Sequence, residues 1–281
     1  MPYTLLTPRR VRSFQKKIYN HYNKYGRPLP WRRTRNPYRI LVSEIMLQQT
    51  QVERVLNKYK EFLAAIPDFA SLARVPLRDL LQIWSGLGYN RRALALQSLA
   101  KRVLTNYQGK LPSDPEKLMA LPGVGKYTAG AVAAFAFNKP VVFMDTNIRR
   151  VFINEFFCNQ ESIRDDELFP LVAQTIDKRN PRLWYNALMD YGSALKHVQI
   201  NPNRKSAHYI RQKHFENSNR HVRGMILKML LKESMLTVAE VVKKTKMDRG
   251  QIKINLVQLY KEGFIQKKRS GFFIRKNAHS S

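Results

Sequence analysis

The chain has 281 residues, of which 50 are Lys or Arg and 20 are Asp or Glu, and its formal charge is +30. This excess of positive charge is typical of proteins that bind a polyanion, and it predicts nucleic acid as the partner. The hydrophobic content of 44% is enough to build cores, so we expect a folded chain. Because the sequence shows neither a run of about eighteen apolar residues nor the apolar segment of a signal peptide, we expect a soluble, intracellular protein.

Apolar residues recur at helical spacing through most of residues 10–195, interrupted by Pro and Gly, and predict an all-helical body. A helix over residues 37–49 contains Glu44, an isolated acid in a strongly basic region. On this helix the carboxylate shares a face with Ile40, Leu41 and Leu47, so it should meet an apolar interior. Desolvation would raise its pKa and keep a proton available near neutrality, as a general acid requires. A buried ion pair with a nearby arginine is the alternative.

Two glycines, Gly123 and Gly125, lie in the sequence LPGVGKYT between two helix-patterned segments. Because glycines carry no side chain, a tight hairpin of this kind exposes the backbone N–H groups at the start of the second helix. These N–H groups can bind a phosphate oxygen. The hairpin, with Lys126, is therefore a predicted site for the DNA backbone.

Asp145 ends an extended apolar run and precedes a predicted helix over residues 146–157. In isolation it is most simply a helix N-cap. A cap and a catalytic role are compatible, because a carboxylate held by backbone N–H groups stays ionised and points in a fixed direction. An ionised carboxylate beside a protonated one is what glycosidic bond cleavage through an oxocarbenium-like state requires, so Glu44 and Asp145 form a candidate pair.

A second domain is predicted at the C-terminus. Residues 1–196 form the helical body, and residues 197–219, rich in polar and basic side chains, form a linker. Beyond the linker, three helices over residues 222–231, 238–245 and 250–260 precede a basic hairpin over residues 264–274. This pattern predicts a winged-helix-like domain over residues 220–276 and a tail over 277–281.

In a winged helix, residues 248–260 are the helix most able to enter a major groove. The DNA contacts expected on this helix and on the hairpin are Lys253, Lys267, Lys268 and Arg269. A helical protein–protein module whose charges are merely solvated is the alternative.

Four ordered motifs carry a family resemblance: SEIMLQQT at 43–50, GLGY at 86–89, LPGVGKYT at 121–128 and MDTN at 144–147. Together they resemble the helix-hairpin-helix DNA glycosylases, and most of all the adenine DNA glycosylases of the MutY type. The resemblance covers roughly residues 10–195. It implies a mainly α, two-lobed helical body that flips a mispaired base and hydrolyses its N-glycosidic bond. The base implied is adenine opposite 8-oxoguanine or guanine.

The resemblance also implies roles for individual residues. Glu44 matches the acid that protonates adenine, and Asp145 matches the carboxylate that stabilises the sugar cation. Tyr127 and Asn147 match supporting residues of this site. Gln49 and Tyr89 match the wedge that fills the gap left by the flipped base. The wall of the base pocket is matched by Trp31, Arg32, Leu47 and Asp190.

Tyr127 bears on the reaction type. Family members that also nick the strand place a Schiff-base lysine at this position. Lys126, one residue earlier, should point elsewhere on a helix. We therefore expect a monofunctional glycosylase with water as the final nucleophile, and weak strand cleavage by another amine stays open.

One departure from the family concerns metals. Most relatives begin a four-cysteine iron–sulfur loop after the segment that matches residues 189–195, whereas this chain continues with Lys196 and has a single cysteine, Cys158. We expect no cluster and no other cofactor, although the hairpin leaves room for a monovalent cation. Irregular spacing and the lack of thiolate partners argue against zinc at the histidines of this region, which are His197, His208, His214 and His221.

The other departure concerns the substrate. Adenine glycosylases usually carry a Nudix-like domain that checks for 8-oxoguanine, and residues 220–276 are too short and too helical for it. Removal of thymine or uracil opposite guanine is therefore a competing hypothesis, and a non-catalytic DNA-binding regulator is a third. Retention of both acids argues against the third. The expected partner is duplex DNA with a mismatch or lesion. We expect a monomer with no membrane association, in the cytoplasm at the nucleoid or in a eukaryotic nucleus.

Overall fold

The computed structural model describes residues 5–198, 201–209, 218–269 and 271–275. Up to residue 209 these are mainly helical, as predicted. The helices of this part are α1 (Pro8–Tyr25), α2 (Pro37–Leu47), α3 (Val52–Ala65), α4 (Phe69–Arg74), α5 (Leu77–Trp84), α6 (Arg91–Tyr107), α7 (Pro115–Met119), α8 (Lys126–Phe137), α9 (Thr146–Phe156), α10 (Asp165–Thr175) and α11 (Pro181–Val198), with short 3₁₀ turns at Pro30–Arg32 and Pro202–Lys205.

The C-terminal region has the order helix, strand, two helices and hairpin that characterises winged helices. Strand β1 pairs with β3, and β3 pairs with β2, all antiparallel. The predicted helices and hairpin are present, whereas β1 was not predicted because two residues carry no alternation pattern. The elements are α12 (Asn219–Lys232), β1 (Leu236–Thr237), α13 (Val238–Thr245), α14 (Arg249–Lys261), β2 (Ile265–Lys268) and β3 (Gly271–Ile274).

Contacts divide the chain into two units, each built from two segments. The first unit combines Met1–Glu44 with Leu111–Arg211, and the second combines Ile45–Lys110 with Gln212–Ser281. The described C-terminal helices and strands therefore belong to the same compact unit as α3 to α6.

The first unit is centred on aromatic side chains from three helices. The ring of Phe14 meets Phe152 and Trp184 edge-on, with centroids 5.5 and 5.7 Å apart. Gly192 allows α11 to approach α9 closely, because a Cβ at this position would lie 2.3 Å from the carbonyl oxygen of Asn147. This close approach fixes the N-terminal end of α9, where Asp145 lies.

The second unit has one apolar cluster that joins its two segments. Leu77 and Leu81 of α5 pack with Ile226 and Leu230 of α12. The cluster continues into α13, α14 and the sheet through Val241, Ile252, Leu256, Leu259, Phe264, Ile265, Phe272 and Ile274. Helix α5 is amphipathic, with buried positions at Leu77, Leu80, Leu81 and Trp84, and this buried face is what holds the C-terminal region.

Candidate active site

Glu44 lies within α2 and is 5% exposed. The hydroxyl of Tyr127 donates a hydrogen bond to its Oε2 at 3.1 Å. Burial raises the pKa of Glu44 to about 7; the Tyr127 bond and the charge of Arg32 oppose this rise, and the charge of Asp145 adds to it. The carboxyl group thus keeps a proton near neutrality, the property predicted from its apolar helix face.

Tyr127 is half-buried in the first turn of α8. Burial, followed by the negative charges of Glu44 and Asp145, raises the pKa of Tyr127 well above 10. The phenol therefore remains protonated and acts as a hydrogen-bond donor to Glu44.

Asp145 is the N-cap of α9, as predicted. Its Oδ1 accepts hydrogen bonds from the backbone N–H groups of Asn147 and Ile148 at 2.9 and 2.7 Å, and its Oδ2 accepts one from Nδ2 of Asn147 at 2.9 Å. Burial raises the pKa of Asp145, while these hydrogen bonds and the charge of Arg150 lower it. The pKa of Asp145 is raised on balance, because burial outweighs these hydrogen bonds. Capping alone would have lowered the pKa.

Arg150 supports this cap, although its sequence position did not single it out. Its Nη1 donates to Oδ1 of Asn147 at 2.9 Å and to the carbonyl oxygen of Gly192 at 2.5 Å, and its Nε donates to Oδ1 of Asn201 at 2.9 Å. The side chain is 5% exposed. Arg150 could have been predicted from its position, because it is a cation one turn after Asn147 on the buried face of α9.

Arg32 and Asp190, both predicted to line the base pocket, pair with each other. Nη1 and Nη2 of Arg32 donate to the two carboxylate oxygens of Asp190 at 2.7 Å each. The backbone N–H and Nε of Arg27 add two further bonds to this carboxylate. Despite desolvation, the hydrogen bonds and charges of the two arginines lower the pKa of Asp190. Trp31 is buried beside Arg32 in the chain.

The hairpin connects α7 to α8. Gly123 has φ +77°, a left-handed conformation that glycine adopts without a steric penalty. Gly125 is the N-cap of α8 and contributes no side-chain cap to its first N–H groups. Gly123, Gly125 and Lys126 are exposed, so the predicted phosphate site faces solvent.

Gln49 and Tyr89 lie in the second unit, where both occupy left-handed backbone conformations with φ +53° and +48°. Gln49 is exposed, whereas Leu47 and Tyr89 are half-buried. The predicted helix over 37–49 ends earlier, at Leu47, because the left-handed turn at Gln49 breaks it.

Arg92 connects the two loops that carry Gln49 and Tyr89. Its pKa is lowered to about 10 by burial, so it remains a cation at neutral pH. Arg92 was not predicted as a functional residue, although it occupies the buried stripe of α6 with Leu96 and Leu99. Its guanidinium donates at 2.7–3.1 Å to the carbonyl oxygens of Ile45, Met46, Gln48, Leu87 and Gly88 and to Oγ1 of Thr50.

The four cations predicted to contact DNA from the C-terminal region are all exposed. Lys253 lies on α14, Lys267 and Lys268 lie on β2, and Arg269 lies in the turn that follows. Helix α14 also exposes apolar side chains, among them Ile254, Val257 and Tyr260.

The described parts of the chain contain no group of three or more His, Cys, Asp or Glu residues arranged to hold a metal ion. His214 and the side chain of His197 lie outside the described residues. The four-thiolate donor set of an iron–sulfur cluster does not fit this chain, since Cys158 is its only cysteine. In the same described parts, no helix is both long and apolar enough to cross a bilayer.

Comparison with known proteins places the chain in a family. Residues 42–169 match the model of the HhH-GPD superfamily base excision DNA repair proteins. The chain also resembles the solved structure of a thermostable thymine-DNA glycosylase, with 30% identity and a TM-score of 0.62 over 69% of this chain and 91% of that one. The chain belongs to the HhH-GPD superfamily.

Several curated relatives are adenine DNA glycosylases. The protein of Buchnera aphidicola subsp. Baizongia pistaciae is 39% identical over 67% of this chain and 54% of its own length. The Homo sapiens protein is 35% identical over 66% of this chain and 36% of its own length. This chain therefore spans between about a third and a half of the relatives it matches here. A solved endonuclease III–DNA complex, 24% identical with a TM-score of 0.59 over 70% of this chain and 91% of that one, shares the fold.

Proposed function

We propose that this chain is a monofunctional DNA glycosylase that removes adenine mispaired with guanine or 8-oxoguanine. The observation that carries the proposal is Glu44, a buried carboxyl with a pKa of about 7, bonded to Tyr127 and electrostatically coupled to Asp145. The adenine glycosylase names of the curated relatives support the choice of base.

In this mechanism the two carboxyl groups divide the chemistry. Glu44 transfers its proton to a ring nitrogen of adenine, so the base leaves with the electron pair of the N-glycosidic bond as a neutral molecule. The carboxylate of Asp145, oriented by Asn147 and the start of α9, stabilises the positive charge that develops on the sugar. Water then adds to the anomeric carbon and loses a proton, which leaves an abasic site.

Tyr127 supports the assignment to hydrolysis alone. At the position where strand-nicking members carry a Schiff-base lysine, this chain has a phenol hydrogen-bonded to Glu44. Lys126 is exposed at the start of α8. The reaction as proposed uses protein groups and water, without a metal or an organic cofactor. Because no protein amine attacks the sugar, incubation with borohydride should trap no covalent DNA complex.

We further propose that the partner is duplex DNA with a mismatch or lesion, bound by a monomer at the bacterial nucleoid or in a eukaryotic nucleus. Gly123, Gly125 and Lys126 bind backbone phosphate, and Gln49 and Tyr89 occupy the space left by the flipped base. The residues proposed to contact the flipped base are Trp31, Arg32 and Asp190 of the first unit and Leu47 of the second, and the Arg32–Asp190 ion pair holds its two side chains in fixed positions. The C-terminal domain binds further phosphates through Lys253, Lys267, Lys268 and Arg269.

A second candidate is removal of thymine or uracil opposite guanine. It is favoured by the 30% identity to a thymine-DNA glycosylase of which this chain covers 91%. The same acid pair and hydrogen-bonded tyrosine serve either reaction, because both pass through a cationic sugar.

The deciding experiment is single-turnover base release from matched duplexes containing A·8-oxoguanine, A·G, G·T or G·U. Release of adenine by wild type and not by Glu44→Gln is the expected result. Release of only thymine or uracil would replace the first candidate with the second. Equal rates for wild type and Glu44→Gln would refute the proposed mechanism, and no release from any duplex would refute the glycosylase proposal.

A further inference from the structure

The C-terminal domain is joined to the α5–α6 region by polar as well as apolar contacts. Arg78 at the start of α5 donates hydrogen bonds to the carbonyl oxygens of Leu230, at 3.1 Å, and Leu231. These two carbonyl groups lie in the last turn of α12, where backbone acceptors lack helical partners. The domain is thus held against α5 at a defined position.

A second polar interaction holds the domain against α6. Glu262, just after α14, accepts hydrogen bonds from Arg91 of α6 and Arg223 of α12. Burial raises the pKa of Glu262, but bonds from Arg91, Gln258 and Arg223 outweigh it and lower the pKa to about 2. The carboxylate is therefore charged throughout the physiological range and links three helices of one unit.

These interactions place Arg220, in the first turn of α12, on Tyr89. The guanidinium donates a hydrogen bond to the Tyr89 hydroxyl, and its Cζ lies 5.0 Å from the centre of the ring. Cζ of Arg92 lies over the same ring at 5.4 Å. One tyrosine in a left-handed backbone conformation is therefore held by a cation from α6 and by a second cation from the C-terminal domain.

We propose that Arg220 is a positioning residue through which the C-terminal domain sets the orientation of Tyr89 for intrusion into DNA. This inference rests on the proposed function, because that function gives Tyr89 its role in base flipping. A tyrosine that must enter a duplex loses side-chain freedom, and a guanidinium that fixes both the ring and the hydroxyl removes that freedom before DNA is bound. The domain then contributes to the flipping step as well as to affinity.

The alternative for Arg220 is direct binding of a phosphate, and the two roles have different consequences. Phosphate binding adds to affinity independently of Tyr89. A positioning role changes the fraction of bound duplexes in which the base is unstacked, and it disappears when the tyrosine side chain is removed. Lys228, an exposed cation on the same helix, provides a charge-matched control.

The test uses the full chain in four variants: Arg220→Ala, Tyr89→Ala, the double variant and Lys228→Ala. Single-turnover release at saturating protein is measured with the affinity of each variant for the same duplex. We expect Arg220→Ala to lower the release rate about tenfold and affinity less than threefold, with release by Lys228→Ala unchanged. In the Tyr89→Ala background, Arg220→Ala should change the rate less than twofold. Multiplicative losses in the double variant would overturn the positioning role.

Two further readouts separate this inference from the proposed function. Fluorescence of 2-aminopurine beside the mispair reports unstacking in bound DNA whether or not a bond is cleaved, and it should fall in Arg220→Ala but not in Lys228→Ala. Urea unfolding of the same variant set measures the coupling between Arg220 and Tyr89 without DNA. If wild type unstacks the base but releases none, the glycosylase proposal fails and the inference stands. Zero coupling in unfolding, or unchanged fluorescence in Arg220→Ala, would refute the inference.

Discussion

The two units hold their candidate functional side chains in different ways. In the first, Glu44 and Asp145 are attached to regular helices, one within α2 and the other at the cap of α9. In the second, Gln49 and Tyr89 occupy left-handed positions in loops supported by Arg92. The acid–base chemistry proposed for the first pair requires fixed distances, which helices supply. The loops proposed to enter DNA instead hold left-handed conformations whose strain is offset by a buried cation.

The largest expected effect comes from the substitution of Glu44, which should slow base release and, at alkaline pH, raise the stability of the protein. Glu44→Gln removes the transferable proton and should lower single-turnover base release by about 10³-fold with DNA affinity retained. Since the folded-state pKa of about 7 exceeds the ordinary value of 4.5, the folded protein takes up a proton between these values and its stability falls as pH rises through them. Glu44→Gln should therefore be more stable than wild type by up to about 3 kcal/mol at pH 8, measured by urea unfolding.

The difference in stability should vanish near pH 4, where both the folded and unfolded forms carry the proton. A variant equally stable at both pH values would show that the carboxyl group is not desolvated.

Asp145→Asn should lower base release by about 10²-fold or more, because an amide cannot stabilise a developing cation as a carboxylate does. Asn is as good an N-cap as Asp, so the free energy of unfolding should change by less than about 1 kcal/mol. Single-turnover kinetics and urea unfolding on the same preparation test both statements. A large loss of stability with unchanged base release would reduce Asp145 to a structural cap.

Arg92→Met should destabilise the second unit by about 3 kcal/mol, because it leaves carbonyl groups in the last turn of α2 and in two loops without their donor. The measurement is urea unfolding, and the neighbouring Arg91→Met is the control. Arg91 is itself exposed, and its partner Glu262 keeps the hydrogen bonds from Arg223 and Gln258 when Arg91 is replaced, so the loss should cost about 1 kcal/mol or less. Equal costs for the two arginines would show that the loops do not depend on Arg92.

A smaller effect is expected from pH, which sets the protonation state of Glu44 and with it the rate of base release. In the proposed mechanism protonated Glu44 is the active form, so the single-turnover rate should be flat below about pH 7 and fall about tenfold for each pH unit above it. A rate that rises through this range would assign Glu44 to base catalysis instead.

The smallest effect concerns the basic turn of the C-terminal domain. Replacing Lys267, Lys268 and Arg269 with Gln should weaken binding to all duplexes similarly. The slope of log affinity against log salt should fall by about 1 for each DNA phosphate that the variant no longer neutralises. Binding isotherms at several salt concentrations test this. The control removes the same charge from exposed positions of α1: Arg9, Arg12 and Lys16.

An unchanged slope would contradict phosphate binding by this turn. It would favour a protein partner for the domain, which the exposed side chains of Ile254, Val257 and Tyr260 could contact.

Local patterns were enough to predict much of the first unit. The apolar stripe around Glu44 indicated its burial, and the position of Asp145 before a helix indicated its cap, because both depend on neighbours within one or two turns. Family motifs added Tyr127, whose hydrogen bond to Glu44 joins residues 83 positions apart. No periodicity encodes such a distance, and only the resemblance brought these residues together.

The second unit was less predictable, because its contacts join residues that lie far apart in the chain. The hydrogen bond of Arg220 to Tyr89 spans 131 positions, and the bonds of Arg92 depend on the carbonyl groups of loops whose conformation cannot be derived from composition. The buried face of α5 was readable as amphipathic, but its partner on α12 was not. The separate-domain hypothesis for residues 220–276 did not anticipate that these residues share an apolar cluster with α5.

The shared cluster has a consequence for the nascent chain. Leu77 and Leu81 are made early, but their partners on α12, α14 and the sheet lie more than 140 positions later, between Val222 and Ile274. During synthesis, this apolar face of α5 stays exposed to solvent until α12 has left the ribosome. Truncation before α12 should therefore yield a polypeptide that depends on chaperones, since it would lack the helices and strands that pack on this face.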